Sequence, residues 1–177
     1  GNIYALIQKK LDVYSENIES NDRFGMVYNA GHPLTLDDGQ SDVPVARLRL
    51  SSIKAFKERF PRNKNPEIEL KPLYDKIDAI QSGVESFLAK HIDGELDKIK
   101  NELPPAADNT QRIANLKKQL DFLKDLTAIM LLDSHFYTIY NGKVIEIQNT
   151  LGETELEALF KEECASLRDN LESNIAV

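Results

Sequence analysis

The fold is decided by residues 92–123, which read IDGELDKIKNELPPAADNTQRIANLKKQLDFL. On both sides of Pro104-Pro105 the apolar residues recur every three or four positions, as on one face of an α-helix. Proline is not tolerated in a helix interior, and Asp108 or Asn109 can accept the free amide hydrogens at the start of a new helix. The stretch therefore predicts two amphipathic helices, and so short a connection requires the second to return antiparallel to the first.

The helical period continues outward in both directions. The first helix extends over about 70–102, with Pro72 suited to its first turn. Its apolar face comprises Leu73, Ile77, Ile80, Val84, Phe87 or Leu88, Ile92, Leu96, Ile99 and Leu103. The second helix carries Ile113, Leu116, Leu120, Leu123, Thr127 and Met130. We expect a helical hairpin over 70–134 that serves as the scaffold of an elongated antiparallel bundle.

Three further segments show helical or turn patterns. The apolar period over about 2–20 predicts one helix, and residues 21–44 collect glycine, proline and aspartate, which predicts a loop or a short hairpin. Residues 44–60 are predicted to form another helix capped by Asp42 or Ser41, although residues 47–50 also alternate like a strand. A last helix over 153–172 has a capping-box start and a predicted core face of Leu156, Phe160, Cys164, Leu167 and Leu171.

Residues 136–148 carry the strongest signal for β-structure in the sequence. Asn141-Gly142 lies between aromatic and β-branched residues, and this dipeptide is a strong signal for a two-residue hairpin turn. The alternative is a helix that ends with Gly142 as its left-handed cap and is followed by another helix. We favour the hairpin, so the expected fold is mainly α, with four to five helices and a small β-hairpin at about 136–148.

The composition is that of one globular domain. The chain has 177 residues, of which 41% are hydrophobic and 29% charged, and its longest apolar run, residues 128–132, is too short to span a bilayer. The single cysteine excludes an internal disulfide and fits a reducing compartment. Since no secretory signal is recognisable, we expect a single cytoplasmic domain over 1–177.

Charge is distributed unevenly along the chain. The net charge of −7 disfavours nucleic acid as a partner, because binding to phosphates needs a basic surface. Residues 47–64 depart from this balance, with seven basic side chains against Glu58, a local charge of +6 that leaves −13 elsewhere. The basic segment comprises Arg47, Arg49, Lys54, Lys57, Arg59, Arg62 and Lys64, with Phe56 and Phe60 between them.

The basic segment is the predicted binding site. Phe56 and Phe60 could enter the headgroup boundary of a membrane while the cations attract an anionic lipid such as a phosphoinositide. This predicts a peripheral membrane protein that takes an anionic lipid headgroup or, failing that, an acidic protein surface. In a purely structural interpretation, the two rings face the core and the cations line a solvated face, where they pair with acidic neighbours.

Signatures of catalysis and metal binding are missing from the sequence. The three histidines, His32, His91 and His135, lack partners at ligand spacing, and the pairing of His91 with Glu95 alone does not make a metal site. Cys164 follows Glu162 and Glu163, which disfavour a thiolate, and its spacing indicates a core position. We therefore expect a non-enzymatic binding module without a cofactor. Its alternative mode is protein interaction or oligomerisation through a helical face.

The end of the chain resembles a known export signal. Residues 153–163, ETELEALFKEE, are followed by a polar stretch with the apolar Ile175 and Val177. This pattern is similar to the glutamate-rich C-terminal signal of effectors exported by the Dot/Icm type IV secretion system. The resemblance covers only the last part of the chain and implies a bacterial protein that acts inside a host cell. Helical modules of such effectors often bind host phosphoinositides or small GTPases, and no residue-level role is implied.

Overall fold

A computed structural model describes residues 2–16, 42–62 and 68–175, and every regular element in these ranges is an α-helix. The helices are α1 (Asn2–Glu16), α2 (Asp42–Arg59), α3 (Lys71–Asn101), α4 (Asn109–Thr127) and α5 (His135–Ile175). The prediction of a mainly helical chain is confirmed. The loop predicted over 21–44 lies almost wholly outside the described residues, as do His32 and Lys64.

Contacts between residues divide the chain into two compact units. Unit 1 comprises residues 1–93 and 129–136, and unit 2 comprises residues 94–128 and 137–177. Helix α3 contributes to both units, since its residues up to Asp93 belong to unit 1 and those from Gly94 to unit 2.

The core of unit 1 forms where α2 lies against the first two-thirds of α3. Helix α2 begins at Asp42, two residues before the predicted start, and Pro44 lies in its first turn as predicted. Asp42 is thus inside the helix rather than before it, and the strand alternative for residues 47–50 is wrong. It buries Ala46, Leu50 and Ile53. Helix α3 supplies the predicted face, in which the buried residues are Leu73, Ile77, Ile80, Val84, Phe87, Leu88 and Ile92.

Within unit 1, a side-chain amide connects helix α1 to the residues just before α3. The Gln8 Nε2 donates to the carbonyl oxygen of Glu69 at 2.9 Å, and the Glu69 amide donates to Gln8 Oε1 at 2.5 Å. One glutamine thus satisfies both polar backbone groups of a residue just before α3. Ile3 of the predicted apolar face is exposed, whereas Ile7 is half-buried.

Unit 2 is organised by a polar contact as well as by its apolar core. Asp108 caps α4 in a reciprocal capping box with Gln111, which confirms the predicted helix start. The buried Asn115 donates from Nδ2 to the carbonyl oxygen of Ile99 at 2.7 Å and accepts from Gln119 Nε2 at 2.7 Å. The buried apolar residues of this unit are Leu96, Ile99, Ala107, Leu120, Leu123, Leu126, Tyr140 and Val144.

The predicted β-hairpin at 136–148 is wrong, because these residues form the first turns of α5. Phe136, Tyr140 and Val144 follow one another at intervals of four and are all buried. Burial of these three side chains contributes more free energy to folding than the local turn preference of Asn141-Gly142. The hydroxyl of Ser134 accepts from the amide of Phe136 at 3.2 Å and so caps the start of the helix.

Two helix boundaries also differ from the sequence prediction. Helix α4 ends at Thr127, and residues 128–134 form turns, so the scaffold hairpin does not extend as helix to residue 134. The last helix does not begin at residue 153, since Thr154 lies inside α5 and its hydroxyl donates to the carbonyl of Thr150 at 2.8 Å. Hence the predicted capping box does not exist, and residues 135–175 form one helix.

Candidate functional site

The aromatic residues of the basic segment point toward α3. The ring of Phe56 lies 5.2 Å from that of Phe60 and 6.0 Å from that of Tyr74, measured between centroids. Both phenylalanines are half-buried. The two rings therefore help to attach α2 to α3, and this arrangement matches the structural interpretation of Phe56 and Phe60 more closely than membrane insertion.

The cations of the segment lie in different environments. Arg49 is buried with 1% of its surface exposed, so it belongs to the interior of unit 1. Arg47 and Lys54, seven residues apart on one face of α2, are half-buried. Arg59 is exposed, and its guanidinium lies 5.6 Å from the ring centre of Phe60. The six predicted cations that lie in the described residues thus do not form one continuous basic surface.

Lys57 and Arg62 converge on a carboxylate of α3. The Lys57 Nζ donates to Asp78 Oδ1 at 2.5 Å and to Gln81 Oε1 at 2.6 Å, and Arg62 pairs with the other oxygen of Asp78. The Arg62 guanidinium also lies 4.2 Å from the ring centre of Tyr74. Internal partners thus take up two of the predicted cations, as the structural interpretation expects.

These side chains line a cleft of about 480 Å³ in unit 1. Two cations, Lys57 and Arg62, are balanced there by the carboxylates of Asp78, Glu85 and Asp133. Glu85 Oε1 accepts from Gln81 Nε2 at 2.6 Å and from the Ser134 hydroxyl at 2.9 Å. The cleft carries no positive excess, so its electrostatics do not favour an anionic ligand.

Tyr74 is one of the residues that line the cleft. Its hydroxyl donates to the carbonyl oxygen of Phe60 at 2.5 Å. Burial raises the pKa of Tyr74 above its ordinary value of 10.0, and the charge of Arg62 partly opposes this effect. Tyr74 therefore stays protonated at neutral pH and keeps its hydrogen bond to the chain that follows α2.

The residues considered for catalysis are dispersed. Cys164 is exposed on α5, so its predicted core position is wrong. His91 lies half-buried on α3, and His135 lies exposed at the first position of α5. Within residues 2–16, 42–62 and 68–175, no group of three or more His, Cys, Asp or Glu side chains is placed to hold a metal ion.

A second candidate surface is the apolar stripe of α5, formed by Leu156, Phe160, Cys164, Leu167, Leu171 and Ile175. At 100° per residue, these six positions lie within about 100° of one another around the helix. All of them except Ile175 were predicted core residues. In the structure Cys164 is exposed, and the other five, Leu156, Phe160, Leu167, Leu171 and Ile175, expose between 61% and 82% of their surface. In the described part of the chain, therefore, no packed neighbour buries the stripe.

The opposite face of α5 is buried or half-buried along the first half of the helix. Val144 is buried and Ile147 and Leu151 are half-buried, continuing the period set by Phe136 and Tyr140. Near the end of this packed face, the ammonium of Lys117 in α4 lies 3.8 Å from the carboxylate of Glu155. Every described residue from 159 onward is exposed. The helix is thus packed along its first half and uncovered along its second.

Comparison with known proteins yields no relative: no family model, curated protein or solved structure matches this chain. Among the described helices, none combines the length and apolarity that crossing a membrane requires. Of the two candidate surfaces, the basic segment and the apolar stripe of α5, the apolar stripe differs more from an ordinary protein surface.

Proposed function

We propose that this chain is a non-enzymatic binding module that engages a partner protein through the apolar stripe of α5. The supporting observation is the exposure of five large apolar side chains on one helical face. Single exposed leucines are common on protein surfaces, but contiguous apolar patches usually mark a binding surface. A helix with anchors three and four residues apart fits the mode in which an amphipathic helix docks against another helix or into a groove.

Expected energetics support this mode of binding. Burying a leucine or phenylalanine side chain contributes about 1.5–3 kcal/mol. Several such residues can offset the cost of association, which is on the order of 4–15 kcal/mol. Leu167 and Leu171, in the middle of the stripe's second half, are therefore expected to be essential for binding.

The test uses synthetic helical peptides of about three heptads with leucine at the a and d positions and glutamine at the flanking positions. Wild-type chain should bind such a neutral peptide in fluorescence anisotropy, and a Leu167→Gln, Leu171→Gln variant should lose most of that affinity. The matched control is Leu48→Gln, Leu132→Gln, because these leucines are 62% and 71% exposed but lie outside the stripe. Equal binding by all three proteins would refute the proposal.

A second candidate function is recruitment to an anionic lipid headgroup through the cations of α2. The favouring observation is that Arg59 is exposed, and that Arg47 and Lys54 are only partly covered although each has an interaction within the chain. Lys57 and Arg62 are excluded from the test, because their reversal would break contacts to Asp78. Flotation with phosphoinositide vesicles should fall for Arg47→Glu, Lys54→Glu, Arg59→Glu, and unchanged flotation would exclude this function.

The control for that experiment has the same change in charge. Lys90, Lys100 and Lys124 are exposed lysines on α3 and α4, distant in sequence from the basic segment. Their triple replacement by glutamate lowers the net charge equally, so a loss of flotation in both variants would indicate an effect of total charge rather than a lipid site.

A further inference from the structure

The second half of α5 contains a short coiled-coil seam. Phe160, Cys164, Leu167 and Leu171 follow one another at spacings of four, three and four, as the a and d positions of a heptad do. Cys164 and Leu171 occupy the a positions, and Phe160 and Leu167 occupy the d positions. All four are exposed, so in the described part of the chain no neighbouring helix covers this seam.

Charged residues of both signs lie beside this seam. Lys161 and Arg168 occupy e positions along one margin, and Glu163 occupies the g position along the other. Further acidic residues occupy f positions, on the face opposite the seam, namely Glu155, Glu162 and Asp169. Much of the acidity of α5 is therefore directed away from the seam, and its margins carry both signs.

One internal ion pair leaves two of these charges available. Lys161 pairs with Glu157 on the same helix at 3.3 Å, which partly compensates the carboxylate of Glu157 at the a position before Phe160. Within the described residues, neither Glu163 nor Arg168 has a hydrogen bond or an ion pair. A contact between helices at this seam can thus use a carboxylate on the g side and a guanidinium on the e side.

From this arrangement we infer that the occupant of the stripe is a second copy of this chain, in a parallel two-stranded coiled coil along residues 157–171. The inference rests on the proposed function and names the partner. In a parallel pair, a g residue lies beside the e residue of the following heptad on the other helix. Glu163 of one copy is thus placed beside Arg168 of the other, and the two-fold symmetry of the pair makes this contact twice.

The parallel orientation follows from the same charges. In an antiparallel pair, e positions face e positions, so Lys161 of one copy would meet Arg168 of the other. An entirely basic partner helix would meet these two cations with like charge, and an entirely acidic one would meet Glu163 with like charge. A second copy in parallel orientation is the occupant that places opposite charges on both margins.

Sedimentation velocity with exchanged charges tests this inference. Because the seam is short and begins at Glu157, wild type should form a weak dimer whose fraction rises with concentration. Glu163→Arg and Arg168→Glu should each weaken the dimer by at least about tenfold, since like charges then meet on both margins. An equimolar mixture of the two variants restores opposite charges on both margins and should dimerise as well as wild type. A mixture that does not recover overturns the inference.

Two control variants make the same changes in charge at other places. Glu162→Arg lies at an f position of the same helix, and Lys124→Glu lies on the exposed surface of α4. Neither should change the dimer. If they weakened it as much as Glu163→Arg and Arg168→Glu do, total charge rather than contact at the seam would explain the loss, and the inference would fail.

Cys164 reports the orientation of the two helices. A parallel pair in register places the two Cys164 side chains next to each other in one a layer. Cys164 is the single cysteine and is exposed, so added diamide, which takes up the two thiol hydrogens, should link two copies through a disulfide. The link should form far less in Glu163→Arg alone and recover in its mixture with Arg168→Glu. A dimer that diamide does not link would overturn the parallel arrangement.

Remaining outcomes distinguish this inference from the proposed function. A chain that stays monomeric but binds the neutral leucine peptide, with binding lost in Leu167→Gln, Leu171→Gln, would overturn the inference and leave protein binding by the stripe intact. A dimer that persists in this double variant would place the contact elsewhere on the chain and overturn the inference too. Flotation with phosphatidylserine vesicles that the variant abolishes would identify a lipid surface as the occupant instead of a second copy.

Discussion

At the scale of single residues, Asp78 holds together the end of the basic segment. It pairs with Lys57, whose side chain is 19% exposed, and with Arg62. Asp78→Ala would leave the partly buried Lys57 ammonium without its carboxylate, and hydrogen bonds to charged groups are worth about 1.5–3 kcal/mol. Since Asp78 itself is 41% exposed, we expect a smaller loss of about 1–2 kcal/mol in the free energy of unfolding, measured by urea denaturation.

A matched control for Asp78 lies one turn earlier on α3. Asp75 pairs with Lys71 at 2.7 Å, but both side chains are more than half exposed. Exposed pairs four residues apart contribute about 0.3–0.5 kcal/mol, so Asp75→Ala should lower stability much less than Asp78→Ala. Equal losses would mean that the contacts of Asp78 with Lys57 and Arg62 contribute no more than an ordinary surface pair.

Tyr74 provides a pH-dependent prediction. Its pKa is raised in the folded chain by burial, so the unfolded chain releases this proton at lower pH than the folded chain. The contribution of Tyr74 to stability is therefore complete below pH 10 and is lost as the pH rises through the folded-state pKa. Tyr74→Phe should lack this part of the alkaline loss, although at neutral pH it loses the hydrogen bond to Phe60.

The measurement is the ultraviolet absorbance of tyrosinate during titration of wild type and Tyr74→Phe. The difference between the two curves isolates one of six tyrosines and should show a midpoint above 10 in the native chain. In denaturant the same difference should move to about 10, the value of an unperturbed tyrosine. A native midpoint at or below 10 would contradict the burial of this hydroxyl.

At the scale of elements, Gly142 distinguishes the helix from the predicted hairpin. A Cβ added at Gly142 would meet nothing within 4 Å, and the residue has no left-handed φ. Inside a helix, Gly142→Ala should raise the free energy of unfolding by about 0.5–1 kcal/mol, because alanine has the higher helix propensity. In a two-residue hairpin turn, the same change would destabilise, so the sign of the effect in thermal or urea unfolding decides between the two structures.

The sequence determines some elements better than others for a physical reason. Helices α3 and α4 were predictable because Leu73 to Ile99 repeat at helical spacing and Asp108 supplies a cap. The start of α5 was not, since Asn141-Gly142 is a local signal, whereas the burial of Tyr140 and Val144 depends on contacts with distant residues. Local turn preferences of a few tenths to about 1 kcal/mol are readily exceeded by such burial.

The candidate site, too, could be predicted from the sequence only in part, because burial and pairing depend on contacts between distant residues. The local excess of basic residues identifies the basic segment in the sequence. Only the folded structure shows that Arg49 is buried and that Lys57 and Arg62 pair with Asp78. The apolar stripe was visible in the sequence as a periodic face, yet periodicity alone cannot tell a core face from a binding face. Leu167 and Leu171 have the spacing of core residues and the exposure of surface residues.

At the scale of the whole molecule, the end of α5 is expected to contribute little to folding. Every described residue from 159 onward is exposed, so a chain that stops after Ala158 loses no buried side chain of the described range 159–175. Its free energy of unfolding should stay within about 0.5 kcal/mol of the full chain, the usual range for changes at exposed positions. The denaturant slope should change little, because unfolding exposes nearly the same buried surface.

A second truncation, after Lys143, is the control and shows how much stability is lost when buried residues of α5 are removed. Stopping after Lys143 also removes the buried Val144 and the half-buried Ile147 and Leu151. Since burying one such side chain contributes about 1.5–3 kcal/mol, this chain should unfold at clearly lower urea concentration, with a smaller slope. If the chain ending at Ala158 were destabilised to the same extent, residues 159–175 would have to pack within the folded chain. The stripe would then be part of the core, as its spacing first suggested, and could not be the surface on which a partner docks.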